Sequence, residues 1–182
     1  IIQSDGYKTT GCYNFRCAGF LQTNNNIVIG GSISPISVLN GNQFEISVFV
    51  WKVGPKTWKL VAKLGPDDTL VGYWPVEIFT TLADYATQVQ WGGEITNAQT
   101  FGRHTTTQMG SGRFQDEGFR KSSYFRHLEI VDHNNSLQST QNLYTRGEQP
   151  KLYAVNNRFS DDWGSYFFYG GPRLSHLHRE PP

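Results

Sequence analysis

Methionine occurs once in this chain and cysteine twice, and runs rich in Ala, Leu and Glu are missing. Long amphipathic helices are built from such residues, so their scarcity argues against a helical bundle. Apolar runs are short, as at 46–51, whereas a membrane-spanning helix needs roughly 20 such residues. Charge of one sign is lacking too. Sixteen basic residues face fifteen acidic ones for a net charge of +1, and no Lys/Arg run is present to neutralise a phosphate backbone. Neither nucleic acid nor a membrane is expected as a partner. Ile1-Ile2-Gln3-Ser4 has neither the basic flank nor the apolar core of a signal peptide, so any targeting segment is expected outside these residues.

Aromatic residues at 14% and nineteen glycines favour strands and turns. Period-2 alternation is clearest at Phe44, Ile46, Val48 and Val50 against Glu45, Ser47, Phe49 and Trp51. Further strands are expected at 26–34, 58–64, 69–74, 87–91, 104–109, 124–131, 151–155 and 165–169. One short helix is expected at 75–86, where Pro75 suits a first turn and Ile78, Leu82 and Tyr85 recur at helical spacing. Gaps of turn residues without alternating long helices predict an all-β fold, an antiparallel sandwich or barrel. A single domain over 1–172 is expected, followed by an irregular tail over 173–182 after the turn signal Gly170-Gly171-Pro172.

Several chemistries find no footing. Cys12 and Cys17 cannot make a four-ligand zinc site, and their spacing is not C-x-x-C; a local disulfide or two buried thiols remain. Gly110-Ser111-Gly112 is not a nucleophile elbow. His104, His127, His133, His176 and His178 form no H-E-x-x-H, so no metal and no cofactor is expected. Asn134-Asn135-Ser136 is a glycosylation acceptor pattern that matters in a secreted protein.

The segment from Gln88 to Ile95 says more. Alternation sets Gln88, Gln90, Gly92 and Glu94 on one face, while Val89 and Trp91 take the other. Gly92 and Gly93 remove side chains beside Glu94, which would let an extended peptide approach the strand. His104, Thr106 and Gln108 could extend the same polar face into a substrate groove. The bland alternative is a solvated carboxylate beside a glycine bulge. Glu45, Glu77 and Glu117 read as surface acids.

Separated segments bear on that choice. Asp5-Gly6-Tyr7, Thr10-Gly11-Cys12-Tyr13-Asn14 and Cys17-x-Gly19-Phe20-x-Gln22-Thr23-Asn24 open the pattern, followed by Val71-Gly72-Tyr73-Trp74-Pro75 and Trp91-Gly92-Gly93-Glu94. Thr107-Gln108-Met109-Gly110-Ser111-Gly112, Glu117-Gly118 and Tyr169-Gly170-Gly171-Pro172 complete it. In this order the chain resembles neprosin-type domains, the glutamic endopeptidases of plants, over almost its whole length.

The resemblance implies a concanavalin-like antiparallel sandwich, secreted or vacuolar, acting on peptide or protein substrates and preferring to cut after proline. It assigns Glu94 as one of two catalytic glutamates. It places the other on a strand ahead of Ile1, so the preceding part of the same domain is an expected partner. One of two such carboxylates must stay ionised to activate water while the other, protonated, polarises the carbonyl or protonates the leaving nitrogen, which implies acid-side activity. The family's C-terminal disulfide positions are occupied by Leu152 and Leu174, a pair expected to pack instead. The other reading kept open is a non-catalytic extracellular module that binds wall polysaccharide or peptide on platforms such as Tyr73, Trp74 and Trp91.

Overall fold

The computed structural model describes residues 18–54, 57–63, 68–80, 82–97 and 104–171, with backbone alone over 57–63 and at 68. Cys12, Cys17, Leu174 and the tail lie outside the described residues. The regular structure is strand and turn: ten strands, all paired antiparallel, and two single-turn 3-10 segments among the described residues. The protein is all-β, as its aromatic and glycine content implies. It divides into two compact units, residues up to 36 with 43–89, and residues 37–42 with those from 90 onward.

The first unit is built on a four-stranded sheet. Its strands are β1 (Leu21–Gln22), β2 (Ser47–Val53), β3 (Thr57–Lys63) and β4 (Asp68–Pro75), in the order β1-β4-β3-β2. Register slips where Leu60 faces Gly72 but Val61 faces Leu70, so Val71 is an extra residue. The bulge has a use: the Val71 carbonyl accepts the N–H groups of Thr23 at 2.9 Å and Asn24 at 3.2 Å, and its side chain is buried. Next to it, Gly72 is required, because a Cβ there would lie 2.5 Å from Phe20 Cζ. Phe20 in turn packs on Trp74 at 4.7 Å between ring centroids.

The helix expected at 75–86 is replaced by one 3-10 turn, Val76–Ile78. Pro75 is spent on strand β4, no side chain caps the turn, and Phe79 is already extended at φ −100°, ψ 143°. Lys52 Nζ donates to the carbonyls of Ala83 and, at 2.8 Å, Asp84, so those oxygens serve β2 rather than a helical ladder. Residues 26–34 are turns rather than a strand, since Gln22 Nε2 reaches the carbonyls of Asn24 and Ile27, both at 2.5 Å, and folds the chain back.

In the second unit, β5 (Ser123–Phe125), β8 (Ala154–Val155) and β9 (Arg158–Ser160) all pair with β10 (Gly164–Gly170), while β6 (Glu129–Val131) and β7 (Leu137–Ser139) form a hairpin. Alternation on β10 sends Tyr166 and Phe168 to one face and Ser165, Phe167 and Tyr169 to the other. Aromatic cross-strand pairs follow on both faces. Phe167 stacks on Phe125 at 5.1 Å, and Phe168 meets Tyr124 edge-on at 5.9 Å. Between β8 and β9, Asn156 keeps the ladder intact: its Oδ1 accepts the Phe168 N–H at 2.9 Å, and its own N–H donates to the Phe168 carbonyl at 3.1 Å.

Buried polar groups here are satisfied in a short circuit. Ser165 Oγ donates to the Thr140 carbonyl, Thr140 Oγ1 to the Leu128 carbonyl at 2.8 Å, and the Leu128 N–H to the Ser165 carbonyl at 3.1 Å. Asp132 organises the β6–β7 tip. Its Oδ1 accepts the N–H groups of Asn134 at 2.8 Å and Ser136 at 2.9 Å, and Gln138 Nε2 donates to Oδ2 at 3.1 Å. The Ser136 bond, ahead of those from Asn134 and Gln138, holds this carboxyl below its ordinary value of 3.8. A lowered folded pKa makes the contribution complete above that value and lost as pH falls through the folded one. Amide exchange at Asn134 and Ser136 is therefore expected to lose protection on acidification below about pH 4, and in Asp132→Asn to be weakened at every pH. Equal protection at acid and neutral pH would contradict this.

Candidate active site

Glu94 stands in an irregular extended segment rather than in a regular strand, and the same holds for 87–91 and for most of 104–109. Met109 makes the only sheet-like contact of the latter among the described residues, an antiparallel bridge to Gly171 in which the Met109 N–H reaches the Gly171 carbonyl at 3.3 Å. The two segments nevertheless meet. A Cβ on Gly93 would lie 2.8 Å from Tyr169 Cε2 and 3.0 Å from Met109 Cγ, so the backbone at 93 rests directly on that ring and thioether.

The paired glycines thus do different jobs. Gly93 lets the segment lie flat on β10, while a Cβ at Gly92 would meet nothing within 4 Å. Gly92 and Glu94 are both exposed. Beside them, Thr106 and Gln108 are exposed as well, and Gln108 folds onto Gly112, whose φ of 74° puts a would-be Cβ 2.8 Å from the Gln108 amide.

Three other candidates complete the set. His104 leans on Tyr153, with ring centroids 5.4 Å apart and Nδ1 3.0 Å from the Thr105 carbonyl, so its ring serves packing. Gln88 falls in the first unit, which ends at Val89, and Gln90 begins the second.

The support beneath the site comes from residues without a local signal. Tyr153 is buried and donates its hydroxyl to the Thr107 carbonyl at 2.8 Å, which pins the 104–109 segment. Thr105 is tied back across to Asn97, whose Oδ1 accepts its N–H at 2.9 Å. Burial pushes the phenols of Tyr153 and Tyr169 above their ordinary range, so both stay protonated and uncharged at acid and neutral pH, Tyr153 beneath the 104–109 segment and Tyr169 beneath Gly93. Ser123 Oγ accepts the Ser111 N–H at 2.9 Å and fixes the turn after Met109, where Gly110 takes φ 57°. Among the described residues no three His, Cys, Asp or Glu side chains converge on a common point.

A family model for the neprosin domain matches residues 1–172. The chain belongs to the neprosin family. Within this neprosin domain, the Trp91-Gly92-Gly93-Glu94 and Tyr169-Gly170-Gly171 motifs, which the sequence separates by more than seventy positions, come together at the contact of Gly93 with Tyr169. Asn134 of the neprosin domain lies on the exposed tip of the β6–β7 hairpin. No helix among the described residues is long and apolar enough to cross a membrane.

Proposed function

We propose that this neprosin-type protein is an acid-acting glutamic endopeptidase in which Glu94 is one of two catalytic carboxylates. The observation that carries the reading is the exposed Glu94 on a segment whose Gly92 side is open and whose Gly93 side is seated on Tyr169 and Met109. An extended substrate could lie along the open side, where the absent side chain of Gly92 leaves room for its backbone. Glu94 would then activate water or stabilise the tetrahedral intermediate, paired with the glutamate that the family resemblance places ahead of Ile1. Two carboxylates sharing one site titrate apart, so one is ionised and one protonated only on the acid side.

Cleavage after proline is part of the proposal, and so is secretion. Proteolysis of a proline-containing peptide by the protein extended to include the preceding strand tests it, at about pH 4 and at pH 7 with and without a chelator. Chelator-insensitive cleavage confined to the acid side supports the reading; cleavage only at pH 7, or only with metal, contradicts it.

The glycine pair gives a finer test. Gly92→Ala should leave the thermal midpoint within about 1 °C while raising KM, since its methyl enters open space on the substrate side. Gly93→Ala should lower stability by about 1–3 kcal/mol, because Tyr169 and Met109 must move. The reverse pattern would mean that substrate does not pass over Gly92. Secretion carries its own consequence: Asn134 should bear an N-linked glycan after passage through a eukaryotic secretory pathway. A mass shift on peptide N-glycosidase treatment that is absent in Asn134→Gln would bear this out, and an unmodified secreted protein would refute it.

A further inference from the structure

The second unit carries a recess of about 390 Å³ whose residues take no part in the Glu94 site. Its walls are the 140–143 segment and the strand β9 region 157–159, joined where Asn157 Nδ2 donates to the Leu143 carbonyl at 2.8 Å. Its volume falls in the range of small-molecule sites, about 300–1,000 Å³. None of the lining residues is acidic.

We infer that this recess is a saccharide-binding site, taking a short stretch of a pyranose chain. Phe159 is 66% exposed and lines the recess, a large aromatic surface left in water beside polar groups. The C–H face of a pyranose ring covers such a surface while its hydroxyls stay at the rim. Among the described residues the side-chain amides of Gln141 and Asn142 have no hydrogen-bond partner, and Asn142 is fixed in a left-handed conformation at φ 55°. An amide offers donors and an acceptor side by side, which matches a pair of neighbouring hydroxyls that each donate and accept.

A peptide is less well served. The recess has no acidic group for a basic side chain. Neutral and uronate-bearing chains share the ring face and hydroxyls that the recess would recognise.

Isothermal titration of the protein with cellohexaose, mannohexaose and hexagalacturonate tests the inference. We expect saturable binding of a hexasaccharide, weakened about fivefold or more by Phe159→Ala and by Gln141→Ala and retained in Phe159→Tyr. Binding should persist in Glu94→Gln, which keeps this site distinct from the peptidase reading. With folding checked by circular dichroism, the absence of saturable binding by all three saccharides would overturn the inference. Binding indifferent to Phe159→Ala and Gln141→Ala, or a recess that takes a proline-rich peptide and no saccharide, would overturn it equally.

Discussion

Glu94→Gln is expected to abolish peptide cleavage while leaving the protein folded. The substitution keeps the side chain's size and removes only its charge and proton, and Glu94 is exposed, so its loss costs the structure little. Positioned acid–base groups contribute about 10²–10⁴ in rate, and the fall should appear in kcat rather than in KM. A partner carboxylate left alone cannot be ionised and protonated at the same moment. Glu94→Asp is the useful companion, since it keeps the chemistry but withdraws the carboxyl by one methylene; partial activity is expected. Full activity in Glu94→Gln with an unchanged melting curve would remove Glu94 from the mechanism.

The largest stability loss is expected at Gly171. A Cβ there would overlap the carbonyl oxygen of Leu152 and lie 2.7 Å from Tyr153 Cδ1. Neither neighbour can yield cheaply: the first is backbone, and the second belongs to a buried ring anchored on Thr107. Gly171→Ala should therefore cost about 3 kcal/mol or more and release the Met109 bridge, so that the Glu94 segment loses its support from below. Chemical denaturation measures the loss; a midpoint equal to the parent's would show that the close approach is not needed.

What the sequence made legible is what depends on near neighbours. Alternation along 44–51, 58–64, 69–74 and 165–169 matches β2, β3, β4 and β10, because each lies in a sheet long enough for its pleat to set the pattern. The strand expected at 124–131 is two, β5 and β6, split where His127 takes φ 50°, and that expected at 151–155 keeps only Ala154–Val155. Alternation at 87–91 and 104–109 is equally clear in the residues but is not followed by regular pairing; side-chain bonds from Asn97 and Tyr153 hold the 104–109 segment instead. Strands β7 and β9 are three residues each and carry too little pattern to be seen.

The site shows the same division. Exposure of Glu94 beside two glycines follows from local residues, but the different duties of Gly92 and Gly93 depend on Tyr169, which no local pattern connects to them. His104 reads as polar-face material from alternation and is turned instead onto Tyr153, whose burial is set by β10 and the 149–152 turn. Trp74, which reads as a binding platform, is half-buried against Phe20.

The pH dependence of kcat/KM for a proline-containing peptide, measured with the protein that includes the preceding strand, tests the central claim most directly. A bell on the acid side that vanishes in Glu94→Gln is the expected result, because it reports one ionised and one protonated carboxyl acting together. A profile that rises into the neutral range, or a bell unchanged by Glu94→Gln, would contradict it.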